Sequence, residues 1–370
     1  MRHRISIILL SLALMIVLIA CTTNPATPTP MPTETPVPTA TPFPPLTTCL
    51  VTDLSDLNDG GFNQFAYEGM LAVVDDYDLN DPIILQSSEE DTYSDNIETC
   101  LEQDADVIVN VGFLQQDDAI TGARNNPDVY FIGIDQDVSG LDDVPENYVG
   151  VVFSEDEAGF LVGALAALMA NEEDSDIIAG VYGMEIPAVE RFRKGYEQGA
   201  LYVNSDWEIG TNILGAYNDS FSDAEAGIED AEIFIEAGAS VIFGAGGQLG
   251  SAAIVHAAQQ EIYVIGVDQD EYFTTFDGGN IDGSEYIISS ALKRVDQGVY
   301  DMIALLAERN YDNFPGGGIY RLDAARGGVG IASPHESDVP ESVRNDVRDV
   351  LEGLISGNIE TDVTLDDDAE

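Results

Sequence analysis

The feature that most constrains this chain is an internal repeat. The passage "ADVIVNVGFLQ" at 105–115 returns as "ASVIFGAGGQL" at 239–249, and "VYFIGIDQD" at 129–137 returns as "IYVIGVDQD" at 262–270. The offsets are nearly equal, 134 and 133 residues, and a weaker pair, Tyr67-Glu68 against Tyr196-Glu197, lies 129 apart. A period this long is far beyond a solenoid unit, so two lobes of one design are expected. Within the first half, apolar strand-like runs at 49–53, 83–86, 107–111, 129–135 and 148–153 alternate with stretches of helical spacing such as 62–77 and 94–102. Strand-helix alternation with short connections implies an α/β chain with parallel sheets covered on both faces, that is, two doubly wound lobes.

In open parallel sheets, ligands bind beyond the carboxyl ends of the strands. Asp53, Gly112, Asp135, Gly246 and Asp268 stand at or just after such ends and are expected to converge on a cleft between the lobes, with Asp135 and Asp268 at equivalent places in the repeat. Each lobe's first helix opens near an aromatic, Phe62 in one and Phe192 in the other. Either ring alone would be assigned to the core; their matched position beside the cleft favours a ligand-facing role.

The ends of the chain carry different information. Two arginines in 1–4, an apolar run over 5–20 and "LIAC" at 18–21 have the form of a secretory signal with a lipoprotein cleavage box, and the apolar run is short for a span, which needs roughly 20 residues. Cleavage would leave Cys21 as a lipidated first residue, since acyl chains anchor by about 0.8 kcal/mol per buried CH₂. Residues 22–48 contain ten threonines and nine prolines, the composition of an extended tether. The expected organisation is a signal at 1–20, a lipidated tether at 21–48, one lobe from 49–152 with 271–310, and another from 153–270 with 311–370.

Charge excludes one class of partner. The chain has 13 basic against 68 acidic residues, a formal net charge of −55. No basic stripe exists to neutralise phosphates, so nucleic acid is not an expected partner. An acidic solvated surface keeps an exported protein soluble. The loop at 56–61 approaches a calcium-loop pattern, but Gly60 stands where an acid is needed and Tyr67 where the closing glutamate belongs, so no metal is expected. With only His256 and His335 left in the mature chain and no G-x-S-x-G elbow, no catalytic set is legible either.

The motifs "VTDLSDLNDGGFNQFAYEG", "ADVIVNVGF", "VGVVFSEDEAGFLVGALAALM", "GVYGMEIPAVERFRKGYEQG", "VIGVDQD", "SSALKRVDQGVYD" and "GGVGIA" resemble, in order, those of the basic membrane protein family, nucleoside-binding lipoproteins of ABC transporters. The resemblance covers essentially everything from Cys49 onward. It implies a type I periplasmic-binding-protein fold whose chain crosses between lobes three times, and a nucleoside held by lobe closure. It also implies transport by a separate permease and ATPase, with no cofactor. By the same resemblance, the base-stacking rings are Phe62 and Phe192, the polar loop residues Asp53, Asp59 and Asn63, and the strand-end carboxylates Asp135 and Asp268, with Lys293 as the lysine of "S-x-x-K-x-V-D". Gly61 departs from the family's usual serine, and Leu54-Ser55 replaces a glycine pair. A monomeric protein anchored outside the cytoplasm is expected, with a sugar-binding or signalling receptor of the same fold as the alternative.

A nucleoside's chemistry suits these residues. Base stacking on an aromatic contributes about 1 to 3 kcal/mol, and a hydrogen bond to a charged group about 1.5 to 3 kcal/mol. Lys194 and Lys293 are the only lysines in the chain. Such scarcity suggests that Lys293 is needed where it stands, and it is expected near Asp268 as a clamp on the ribose. Cys49 begins the first strand and Cys100 sits late in the helix between the second and third. A 2-1-3 strand order passes that helix over the first strand, so a disulfide is expected, two buried thiols being the alternative.

Overall fold

The computed structural model describes residues 44–364 apart from Ser55. The expected signal at 1–20 and the lipidation site Cys21 lie outside the described residues. Of the expected tether, 44–48 are described, and these belong to the folded domain. Leu46 is buried, the Thr47 N–H donates to Asp106 Oδ2 at 2.8 Å, and the first strand already includes Thr48.

Two six-stranded sheets form the lobes. The first contains β1 (Thr48–Val51), β2 (Ile83–Leu85), β3 (Val107–Val111), β4 (Tyr130–Ile134), β5 (Tyr148–Phe153) and β11 (Gly318–Leu322), in the order β11-β5-β4-β3-β1-β2. The second contains β6 (Ile178–Tyr182), β7 (Ile213–Tyr217), β8 (Val241–Ala245), β9 (Tyr263–Asp268), β10 (Ile287–Lys293) and β12 (Val329–Ile331), in the order β12-β10-β9-β8-β6-β7. All pairings are parallel except that of β10 with β12. Superposing the two orders matches β3 with β8 and β4 with β9, the strands that carry the sequence repeat. The repeat extends to the backbone: Asp135 and Asp268 both adopt left-handed φ, 61° and 63°. Strands buried on both faces account for the unbroken apolar runs, as in the wholly buried β3, β5, β6 and β8.

The helices cover both faces: α1 (Phe62–Asp76), α2 (Tyr93–Glu102), α3 (Gln116–Asn125), α4 (Glu155–Glu172), α5 (Pro187–Val203), α6 (Ala224–Glu236), α7 (Gly247–Ala258), α8 (Glu271–Thr274), α9 (Val295–Ala307) and α10 (Glu341–Ile355). Helices α4 and α5 pack backbone to backbone. Backbone of α5 at Phe192 and Tyr196 occupies the space where side chains at Gly159 and Gly163 would begin, and backbone of α4 at Asp156 and Phe160 does the same at Gly195 and Gly199. Only glycine permits that mutual approach. Its consequence is positional, because it brings Arg191 and Phe192 of α5 beside the first turn of α4.

The chain passes between lobes three times, at Ser154, at Arg294 and over 323–328. The crossings are stitched together: the Ser154 N–H donates to Leu322 O at 3.1 Å and the Arg294 N–H to Gly328 O at 2.8 Å. This moves the expected lobe boundaries. Residues 271–293 belong to the second lobe, because β10 fills the open edge of β9, and β11 at 318–322 returns to the first, on the open edge of β5. Only α9, packed on α1, stays where the 271–310 segment was expected. Apolar periodicity marks a strand but not the edge it will join.

Cys49 and Cys100 are joined as a disulfide, their Cα atoms 5.9 Å apart. The helix α2 passes over β1 as the 2-1-3 order requires, and both cysteines are fully buried.

Candidate functional site

A cavity lies between the carboxyl ends of the two sheets, where open parallel sheets bind their ligands. Asp53, Asp59, Phe62, Asn63, Gly112, Asp135, Phe192, Gly246, Asp268 and Lys293 all line it. The lobes also touch beside it: Gln269 Nε2 of the second lobe donates to Gly61 O of the first at 3.1 Å.

The first-lobe wall is built by the loop after β1. The Asp53 N–H donates to Asn63 Oδ1 at 2.9 Å, tying strand end to helix start. Asp59 accepts from the N–H groups of Gly61 (2.9 Å), Asn63 (3.0 Å) and Gln64 (3.2 Å), which caps the opening turn of α1 and satisfies donors a helix leaves free. Asp59 therefore shapes the loop as well as lining the cavity. Gly112, at φ 106°, has no room for a side chain because the Asp53 carboxylate occupies that space.

The rings differ in their settings. Phe62 is the first residue of α1 and half-buried. Phe192 is the sixth residue of α5, only 4% exposed, and packs edge-on against Phe243 at 6.2 Å and 67°. Two further rings on the cavity wall escaped the sequence reading, Phe113 just after β3 and Phe221; Phe221, half-buried, lines the cavity from the loop after β7 and lies against Gly183, where a side chain would collide with it. Its one signal was an aromatic isolated in the polar loop "NDSFSD" just past a strand end.

Beneath the rings is a buried charge network that spans the hinge. The Lys293 ammonium donates to Asp135 Oδ2 at 2.5 Å and pairs with Glu155 Oε1 at 2.9 Å, while Arg191 Nε donates to Glu155 Oε2 at 2.6 Å. The ammonium also lies 5.0 Å from the Phe62 ring centre and 5.8 Å from that of Phe192, within cation–π range. As expected, Lys293 lies near Asp268, at the end of the neighbouring strand and within electrostatic reach. Its direct ion-pair partners, however, are Asp135 and Glu155. Glu155 and Arg191 were not identified from the sequence, although an acidic "SEDE" immediately after β5 was available as a signal.

Burial would lower the Lys293 ammonium's pKa, but Asp135, Glu155 and Asp268 more than reverse that and hold it charged. Burial alone would raise Glu155, yet Arg191 and Lys293 bring it below its ordinary value. Asp135 has only a share of Lys293, so burial wins and raises it to about 6. Asp268 is raised to about 7, again by burial, with Lys293 lowering it too little to offset that and Asp135, Asp59 and Glu271 adding repulsion. Asp135 Oδ1 is buried with no hydrogen-bond partner among the described residues. Such an oxygen is costly unless a ligand or water donates to it.

His256 bonds Gln260 and pairs with Glu232, and His335 pairs with Asp270; neither lines the cavity. Among the described residues, no cluster of His, Cys, Asp or Glu is arranged to hold a metal ion, and no helix is long and apolar enough to cross a membrane.

Two doubly wound lobes, three hinge crossings and a polar-aromatic cavity at the strand ends define the type I periplasmic solute-binding proteins. A solute-binding protein of an ABC transporter system from Aeropyrum pernix superposes with a TM-score of 0.73 at 24% identity, covering 85% of this chain and 93% of that one. Another from Conexibacter woesei gives 0.64 at 19% identity, over 85% and 98%. The chain belongs to the family described as ABC transporter substrate-binding protein PnrA-like, whose sequence profile matches residues 46–361. Among its relatives are an ABC transporter nucleoside-binding protein of Lactococcus lactis, 28% identical over 325 residues (84% of this chain, 88% of the relative), and basic membrane protein A of Borreliella burgdorferi, 30% identical over 276 residues (74% and 76%). An uncharacterized lipoprotein of Pyrococcus furiosus is 29% identical over 282 residues (75% and 68%). The family is one of substrate-binding proteins.

Proposed function

We propose that this protein captures a nucleoside, a purine nucleoside in particular, by lobe closure and presents it to an ABC permease driven by its ATPase. The observation that carries the reading is the pairing of aromatic walls with a buried, unpartnered carboxylate oxygen in one cavity. Phe62 of one lobe offers a stacking face, and Phe221, the more exposed of the second lobe's two rings, offers another, with Phe192 also on the cavity wall. Asp135 Oδ1 and Asp268 accept from the ribose hydroxyls. Lys293, which donates to Asp135 and forms an ion pair with Glu155, has N–H donors left to serve a ribose oxygen. The named relative from Lactococcus lactis supports the nucleoside assignment.

The protein acts as a monomeric binding protein and not as an enzyme. It is held outside the cytoplasm by Cys21 after removal of residues 1–20, a reading supported by the lipoprotein among its relatives. Titration calorimetry with guanosine, inosine, adenosine, ribose and glucose tests the ligand assignment. Nucleoside binding with feeble ribose binding is expected; tight binding of a free sugar without any nucleoside would overturn it in favour of a sugar receptor. Metabolic labelling with a radioactive fatty acid tests the anchor, and loss of label in Cys21→Ala is expected.

A further inference from the structure

The repeat that defines the lobes puts one of its residues to two different uses. Gln136 and Gln269 hold the same place in "IGIDQD" and "IGVDQD". Gln136 turns inward: it is fully buried, its Nε2 donates to Gly112 O at 2.7 Å, its Oε1 accepts from the Tyr148 hydroxyl, and its amide lies over Gly133. Gln269 turns out of its own lobe and donates from Nε2 to Gly61 O of the first lobe at 3.1 Å. It does not line the cavity.

A neighbour explains the difference. Two residues on, the first lobe has Val138 and the second has Glu271. Glu271 fills the space over Gly266 that Gln136 fills over Gly133, with its Oε1 accepting from the Val267 N–H at 2.9 Å and its Oε2 from the Ser251 hydroxyl at 2.8 Å. With that space taken, Gln269 is left to face the opposite lobe.

The contact it makes there has the properties of a latch. Gly61 O already accepts from the Phe65 N–H at 2.9 Å in the first turn of α1, and the carbonyl's second lone pair takes the glutamine. Around this bond the lobes meet at van der Waals distance: a side chain begun at Gly60 would touch Thr274 at 3.8 Å, and one begun at Gly61 would touch Asp268 at 3.9 Å. In the first sheet β1, which leads into the loop at 60–61, stands three strands from β5, which leads into the hinge. That is roughly 14 Å at the spacing of neighbouring strands, so opening about the hinge pulls the pair apart.

We propose that Gln269 is a closure latch, a positioning residue that strengthens the capture of any ligand this cleft encloses without touching the ligand itself. The inference rests on the lobe-closure part of the reading above and not on the identity of the ligand. A bond made only in the closed state raises the population of that state, and the apparent affinity of every ligand that needs closure rises by the same factor.

The test compares wild-type mature protein with Gln269→Ala and Gln269→Glu, after thermal melts establish that each is folded. Calorimetry with guanosine, inosine and adenosine reads affinity, and pulsed electron-spin distances between one label on an exposed position of each lobe read closure. Gln269→Ala should weaken all three nucleosides by one common factor of about two to ten, the weight of a single neutral hydrogen bond, through faster dissociation and with a smaller closed population. Gln269→Glu keeps the shape but sets a carboxylate against the Gly61 carbonyl, so it should be weaker than Gln269→Ala; a residue needed only for packing would show the reverse order. Unchanged affinities and label distances in both variants, or the reverse order, would overturn the latch. A loss confined to one nucleoside would also overturn it, by making Gln269 a ligand contact. Altered label distances in a protein that binds no nucleoside would leave the latch standing and remove the nucleoside reading.

Discussion

Replacing Lys293 by methionine isolates the buried network. The side chain is 2% exposed and its ammonium is the direct ion-pair partner of Asp135, whereas Glu155 would keep Arg191 at 2.6 Å. The variant therefore leaves one carboxylate, Asp135, buried without a counter-charge, and breaking a buried pair in this way costs about 3 to 5 kcal/mol. The penalty has a ceiling, since Asp135 can neutralise itself by taking a proton. In the wild type its pKa is already raised from 3.8 to about 6, so relative to wild type this costs about 1.4 kcal/mol per pH unit above that value. The ceiling is thus about 2 kcal/mol at pH 7.5 and near zero at pH 5. The sign is fixed by linkage: the mutant native state binds more protons than the wild-type native state, so its relative stability falls as pH rises. Urea unfolding of the mature domain without ligand should show a loss of about 2 kcal/mol at pH 7.5, nearly vanishing at pH 5. Lys293→Met with Asp135→Asn should recover most of it. A loss below about 1 kcal/mol at pH 7.5, a loss independent of pH, or no recovery in the double variant would refute the network as drawn.

Reducing the Cys49–Cys100 bond, which spans 51 residues, should destabilise the domain by roughly 4 kcal/mol on the chain-entropy model; thiol counting on denatured, unreduced mature protein should find none free, and two reactive thiols would refute the bond. Nucleoside affinity should fall with pH through the Asp268 transition near 7, because hydroxyls donate to the ionised form. The drop from pH 8 to 6 should be about tenfold, and calorimetry showing flat or acid-favoured binding would contradict it. In the unliganded protein the same raised pKa acts oppositely: its contribution to stability is full below the ordinary 3.8 and is lost as pH rises toward 7, measurable as a falling Tm over that window. Phe62→Ala and Phe221→Ala should each weaken nucleoside binding by about 1 to 3 kcal/mol, while Phe192→Ala should chiefly lower the melting temperature; losses of a few tenths of a kcal/mol in both cleft variants would assign those rings to packing.

The sequence by itself determined the two-lobed α/β plan, because strands buried on both faces must be continuous apolar runs and a duplicated lobe must repeat them. It also marked residues that line the cavity at the strand ends. Asp53, Gly112, Asp135, Gly246 and Asp268 were legible because a doubly wound sheet has one functional end, and a polar residue or glycine just past a buried run must lie there. Left to the tertiary structure were matters that depend on distant segments meeting. Whether the apolar runs at 287–293 and 318–322 join one sheet or the other is settled by which edge lies open once the lobes form, and no local pattern encodes an edge. The partnership of Lys293 with Asp135 and Glu155 joins residues 158 and 138 positions apart; the sequence could say that a rare lysine mattered, not which carboxylates it would meet. Phe192 and Phe221 exchanged emphasis for the same reason. A ring's sequence neighbours are similar whether it packs or faces a cavity, and only the assembled lobe shows Phe192 buried against Phe243 of β8 while Phe221 stays half-buried on the cavity wall.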